Sequence, residues 1–243
     1  MVRKILAGLA LAALVAIPAS AQSVDDILAK NFKAKGGLEK IKAVKSTRTS
    51  GTMTIGPGID VPFVMEQKRP NSMRMEVTFQ GMTIVQAYDG KTGWQLNPLQ
   101  GRKEPEPLPE DALKQVDLQA DMDGPLVDYK AKGSTLELVG KEKVDGSDAY
   151  KLKLTLKSGD TLNIYLDADS YLEVRIDGKM KVRGTDIESE TTVGDYKEVG
   201  GMMIAHAMES AQKGSPQKQK MTIQKIELNA PVEDARFKMP AAK

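Results

Sequence analysis

Met73-Arg74-Met75-Glu76-Val77-Thr78-Phe79-Gln80 alternates between apolar and polar side chains without a break. Successive side chains of a strand point to opposite faces, so this stretch reads as one half-buried strand. Met73, Met75, Val77 and Phe79 share the inward face; Arg74, Glu76, Thr78 and Gln80 share the other. On either side, strand-like runs follow in quick succession at about 46–56, 61–69, 72–80, 82–88 and 92–97. Gly56-Pro57-Gly58, Pro70-Asn71, Gly81 and Asp89-Gly90 separate them, and each is turn chemistry. Spacers this short join antiparallel neighbours, because a parallel crossover needs about a dozen residues or more. The first half is expected to be a meander.

The same pattern returns after Gly133. Tyr150, Leu152, Leu154 and Leu156 fall on one face, and Lys151, Lys153, Thr155 and Lys157 on the other. Leu162, Ile164 and Leu166 repeat it, as do Leu172, Val174 and Ile176, and later strands are expected over 183–199, 202–212 and 218–229. Between the meanders, Glu104 to Pro109 carries three prolines, which no central strand tolerates. Leu108 to Tyr129 reads as helical, with Leu113, Val116 and Ala120 on one stripe and a break at Gly124-Pro125. A further helix is expected near the N-terminus. Ser23 is its N-cap, Asp25 and Asp26 lie in its first turn, and Gly36-Gly37 stops it. Its inward face is Val24, Ile27, Leu28, Asn31 and Phe32, and a short second turn runs from Leu38 to Val44. No composition shift divides the chain, so 22–243 is read as a single domain.

Residues 1–21 have another character. Arg3 and Lys4 precede an uncharged apolar run from Ile5 to Ile17, and Pro18-Ala19-Ser20-Ala21 supplies an A-x-A site. This is the layout of a cleavable signal peptide, and the run is shorter than the ~20 residues of a spanning helix. The chain is thus expected to be exported to the periplasm and not to span a membrane. It contains no cysteine, which excludes disulfides, thiol catalysis and cysteine-ligated metals. The formal net charge is only +2, of which Arg3 and Lys4 supply two. A nucleic-acid partner would call for a basic stripe, and none is present.

Several residues imitate chemistry. Gly90-Lys91-Thr92 suggests a phosphate loop, but position 85 is Val and Gly93-Trp94-Gln95-Leu96 reads as strand. Asp89-Gly90 is a hairpin turn instead. His206 is the only histidine and lies in a strand-like run, without the partners of a metal site or a hydrolase. Asp167-Ala168-Asp169-Ser170 reads as a turn, since the glycine and distal glutamate of a calcium loop are missing. No set of nucleophile, base and orienting group emerges. No catalytic residue, metal or cofactor is therefore expected.

Methionine is the unusual component. There are 13, against only 5% aromatic residues, so Met partly replaces aromatic side chains as large apolar filler. Met53, Met65, Met73, Met75 and Met82 cluster in the first meander, and Met202, Met203, Met208 and Met221 in the last strands. A flexible, polarisable side chain suits an ordinary core, and it also suits a surface that accommodates variable apolar ligands.

Four stretches together resemble the LolA/LolB-like family of periplasmic lipoprotein carriers, also called outer-membrane lipoprotein-sorting proteins. Gly36-Gly37-Leu38-Glu39-Lys40-Ile41 with Ala43-Val44 resembles the family's approach to its first strand. Tyr88-Asp89-Gly90-Lys91-Thr92-Gly93-Trp94 resembles its hairpin, and Asp123-Gly124-Pro125-Leu126-Val127-Asp128-Tyr129 its mid-chain lid. Pro231-Val232-Glu233-Asp234-Ala235-Arg236-Phe237-Lys238-Met239-Pro240 resembles its closing segment. The resemblance implies a mainly β fold: an incomplete antiparallel β-barrel, or strongly curved sheet, whose concave face is covered by an α-helical lid. It also implies a strand arginine that helps latch the lid, with Arg48, Arg69 and Arg74 all possible counterparts.

On that fold, an apolar cavity for acyl chains is expected to be lined by Met53, Phe63, Met65, Met73, Met75, Val77, Phe79 and Trp94. Leu152, Leu154, Leu156, Leu162 and Ile164 would line it further round. Leu113, Val116 and Leu126 are the expected lid contacts. The implied function is carriage of a lipid or acylated lipoprotein toward the outer membrane, with transfer partners in the inner and outer membranes. A non-transport envelope sensor or scaffold, using the same cavity or an edge strand, is the alternative.

Overall fold

The computed structural model describes residues 22–182 and 184–241; the expected signal peptide, 1–21, lies outside them. Ser23 caps helix α1 (Val24–Ala34) as its sequence dictates: the Asp26 N–H donates to Ser23 Oγ at 3.1 Å, and the Asp26 carboxylate accepts from Ser23 N–H. A short α2 (Leu38–Ala43) follows. The first meander is β1 (Ser46–Gly56), β2 (Ile59–Lys68), β3 (Ser72–Phe79), β4 (Met82–Tyr88) and β5 (Gly93–Leu96). The proline-rich stretch provides only the two-residue edge strand β6 (Glu106–Pro107) before α3 (Glu110–Ala120). The expected helix over 108–129 is thus shorter, because the chain leaves helical geometry at Asp121 and passes through turns to Gly133. The second meander comprises β7 (Thr135–Val144), β8 (Ser147–Thr155), β9 (Thr161–Asp167), β10 (Glu173–Val182), β11 (Thr185–Val199), β12 (Met202–Gln212) and β13 (Lys218–Leu228).

Among the described residues, all strands form one antiparallel sheet in the order β6-β5-β4-β3-β2-β1-β13-β12-β11-β10-β9-β8-β7. The β1–β13 pair joins the two meanders, and β6 and β7 remain as free edges, so the curved sheet is an unclosed barrel. Register carries one face right across it. Met75 opposes Met65; Val61, Met53, Met221, Met208 and Val193 follow one another across neighbouring strands; Ile176, Ile164, Leu152 and Leu138 continue the series.

The helices cover the flanks of that concave face. On one flank α1 sets Ile27 and Leu28 against Leu152, Leu154, Ile164 and Leu166. On the other, Val116 and Ala120 of α3 pack with Met73, Tyr88 and Leu108. Burying each such aliphatic side chain stabilises the fold by about 1.5–3 kcal/mol. The convex face of the first meander is covered differently, by the C-terminal segment, whose Ala230, Val232 and Phe237 are buried. Glu66, buried beneath that segment, accepts from Arg48 at 2.8 Å and from Arg236 at 2.5 Å.

Candidate functional site

A cavity of about 340 Å³ opens between the two covered flanks. Its floor is Ile164, Ile176, Val193, Met202, Ile204 and Met208. Phe32, Ile41 and Val44 wall it from the helical side, and Met122 to Val127 border it as well.

The C-terminal end of α1 is placed by close backbone contact. Gly36 ends the helix at φ +107°, and a Cβ there would stand 2.3 Å from the Gly201 carbonyl oxygen. Only glycine permits this approach to the β11–β12 turn. The Met203 N–H then donates to the Lys35 carbonyl at 3.2 Å. Further along α1, Asn31 is buried and donates to the Tyr171 carbonyl at 2.7 Å, which accounts for the polar residue on its apolar face.

Segment 122–127 is held both by apolar packing, since Leu126 joins the core cluster of α1 and Val127 is buried, and by polar ties. Arg69, at the end of β2, forms a fork to Asp123 (2.7 and 2.5 Å) and also donates to the carbonyls of Val44 (2.6 Å) and Ile41 (3.0 Å). One guanidinium thus joins α2, the sheet and the covering segment. It holds the Asp123 carboxyl below its ordinary value of 3.8, chiefly through these hydrogen bonds. Lys132 bonds Asp121 and the Gly124 carbonyl (2.8 Å), and Lys42 pairs with Asp128 at 2.6 Å. A second polar group lies on the opposite wall. Lys35 meets Glu173 at 3.0 Å, and the Tyr196 hydroxyl donates to the Glu173 carbonyl at 2.9 Å with Glu173 Oε2 at 3.2 Å. Burial, and then the nearby Glu173 charge, push the Tyr196 phenol well upward, so it stays protonated.

No family model and no curated protein matches this chain. Solved structures do match its fold. A LolA superfamily protein from Nitrosomonas europaea superposes with a TM-score of 0.62 at 13% identity, covering 90% of this chain and 98% of that one. A DUF1329 family protein from Desulfovibrio piger gives 0.59 at 14% identity, covering 86% and 95%. A domain assigned to outer membrane lipoprotein sorting from Vibrio parahaemolyticus gives 0.58 at 12%, covering 87% and 94%.

The fold is LolA-like.

Within this LolA-like fold, the residues expected to line a cavity separate into three groups. Ile164 and Leu126 line the cavity itself. Leu152, Leu154 and Leu162 are buried beneath α1, with Leu156 packed beside them, while Met73 lies beneath α3 with Leu113 and Val116. Met53, Phe63 and Val77 form a cluster with Ile223, against which Met65, Met75 and Phe79 pack. The inward face is the one alternation indicates, but these side chains contact other core residues and do not border the cavity. Leu113 and Val116 likewise seat α3 on β3 and β4 and do not reach it.

Trp94 requires a correction, since it lies on the convex face. It opposes Ala87, which opposes Arg74, so register turns it away from Met73 and Met75. There the Arg74 guanidinium sits 5.3 Å from its ring centroid, and its indole N–H donates to the Phe237 carbonyl at 2.9 Å. Among the three arginines, only Arg69 bonds the covering segment. Arg48 pairs with Glu66, and Arg74 with Glu76 and the Arg236 carbonyl. His206 is buried with Nδ1 2.8 Å from the Ile204 carbonyl. Asp167 accepts from the N–H groups of Ser170 and Asp169, as a turn residue does. Sequence reasoning passed over Met202, Ile204, Met208 and Val193 as lining residues; the methionine cluster in the last strands was the available signal.

Proposed function

We propose that this protein is a periplasmic carrier that takes the acyl chain of a lipid or lipoprotein into the cavity and releases it toward the outer membrane. One observation supports the reading above others: an apolar cavity bordered by a segment of turns that combines buried Leu126 and Val127 with polar ties. An acyl chain is stabilised by about 0.8 kcal/mol per buried CH₂, so binding needs no covalent chemistry. Release needs only that segment 122–127 move, and Gly124-Pro125 within it and the proline-rich 104–109 before α3 are suited to hinge it. The charged, apolar and A-x-A features of residues 1–21 support export, and no helix among the described residues is long and apolar enough to cross a membrane. The lining of apolar side chains and paired charges supports a binding rather than a catalytic role.

A sensor or scaffold that pairs a partner strand with β7 is less well supported. That edge is interrupted by a bulge between Leu138 and Gly140 and carries Lys141, Glu142 and Lys143, features that oppose strand addition. The test is displacement of an uncharged apolar dye by acyl lipids. Wild-type protein should release the dye as lipid is added, and Leu126→Ser should exchange it faster while the sheet stays folded. Absence of dye binding, or unchanged exchange in the folded variant, would remove the carrier reading.

A further inference from the structure

The cavity wall is chemically more specific than an apolar slot. Three charged residues line it, Lys35, Asp123 and Glu173, and each is already paired. Asp123 is engaged by Arg69, and Glu173 by Lys35 with Tyr196 beside it. The two remaining polar side chains among the lining residues are also occupied: Thr47 donates to Gln67, and Gln67 donates to the Gln119 carbonyl. The lining therefore presents no uncompensated charge. Donor capacity does remain. An ammonium has three N–H groups, and the Lys35 side chain makes one hydrogen bond among the described residues, to Glu173.

Resting on the carrier reading above, we propose that the cavity selects a single acyl chain with a neutral, hydrogen-bond-accepting head, an ester or amide, seated at Lys35, Glu173 and Tyr196. An ester or amide carbonyl can accept from a spare Lys35 N–H without disturbing the ion pair. A fatty-acid carboxylate cannot do so on equal terms. Brought to Lys35, it stands against the Glu173 carboxylate, and two like charges in a partly desolvated wall repel. Expelling Glu173 from its pair would leave that carboxylate buried without its cation. The volume favours one chain, since about 340 Å³ lies near the lower end of the ~300–1,000 Å³ common among small-molecule pockets. Free monoacyl lipids and the acyl linkage of a lipoprotein share this head chemistry.

The test compares probes of equal chain length, 1-monolauroylglycerol and laurate, as competitors of an uncharged dye at a pH where laurate is ionised. Wild-type protein should bind the glycerol ester about tenfold more tightly than laurate, a gap typical of one like-charge contact. Glu173→Gln removes the repelling charge and frees Lys35, so laurate should gain about tenfold and the preference should vanish or invert. Lys35→Met leaves Glu173 unpaired at the wall and should deepen the rejection of laurate. It also keeps the question open to test if Glu173→Gln fails to fold. A lipopeptide with two acyl chains should compete less well than the single-chain ester.

Equal binding of ester and laurate by wild type, or no change in that ratio in a folded Glu173→Gln variant, would overturn the head-group assignment while leaving the carrier reading in place. Tighter binding of the lipopeptide would overturn the single-chain assignment and name the lipoprotein anchor as the source. Failure of every probe, dye included, would instead sink the carrier reading on which this rests.

Discussion

The flanks of the concave face and its middle are closed by different physics. Two helices of equal length, 11 residues each, seal the flanks. They do so with aliphatic side chains that are almost wholly withdrawn from water, such as Ile27 and Val116 at 0% and 1% exposed. Over the middle the chain spans the sheet as a run of turns, with Leu126 and Val127 buried and Arg69, Lys132 and Lys42 supplying much of the attachment. Apolar packing of the first kind is lost only as a whole. Ion pairs and hydrogen bonds of the second kind can be exchanged for water at modest net cost. The difference points to the middle as the place where a cavity in this sheet can open, with Leu126 leaving the cluster it shares with α1 while α3 stays seated.

The sharpest way to break this comparison is to carve into a flank. Leu152→Ala or Leu154→Ala should each lower global stability by about 2–5 kcal/mol in denaturant unfolding, because both side chains are fully buried under α1. Met208→Ala on the cavity floor should cost clearly less, since it already borders empty space. Equal costs would mean that the cavity floor is packed as tightly as the flank.

Removal of Arg69 comes next. Arg69→Met deletes the fork to Asp123 and two bonds to backbone carbonyls. Local opening of 122–127 should become easier by about 1–3 kcal/mol, read as faster amide exchange there while β8 and β9 keep their protection. Uniform acceleration through the sheet would show that Arg69 holds the whole fold rather than the covering segment.

A smaller effect is expected from pH. The Asp123 carboxyl has its pKa lowered in the native protein, so its contribution is fully present above the ordinary value of 3.8 and is lost as pH falls through its native value. Exchange in 122–127 should therefore rise in acid, below about pH 4, beyond the change in the intrinsic rate. Asp123→Asn should flatten that response, and an unaltered acid response in the variant would assign it to another group. The least effect is expected for Lys42→Met. Lys42 and Asp128 are 40% and 50% exposed, so the pair is worth about 0.2–1 kcal/mol at most.

Much of the fold was legible because strands, turns and caps are written locally. The stretch from Met73 to Phe79 gave its own alternation, Gly81 and Asp89-Gly90 marked turns, and Ser23 marked the start of α1. The cavity was less legible because alternation assigns a face and says nothing of what lies opposite. Met73 and Ile164 both point inward and both are buried, yet the first packs under α3 away from the cavity while the second also borders it. Trp94 misled for a related reason. It was expected in the concave interior, whereas the C-terminal segment makes a second buried surface on the convex side and takes it there. Arg69 could not be separated from Arg48 and Arg74 by motif, because its partners come from α2 and from residue 123, distant in sequence.

The central claim is that acyl ligand occupies the space between α1, residues 122–127 and the β10–β12 floor. Native mass spectrometry of protein recovered from its native cells tests it most directly, with Ala205→Trp, which fills the cavity from its lining, as the comparison. The wild type should carry an added lipid mass, and the folded Ala205→Trp variant should be bare. A bare wild type, or the same lipid mass on both proteins, would contradict the account.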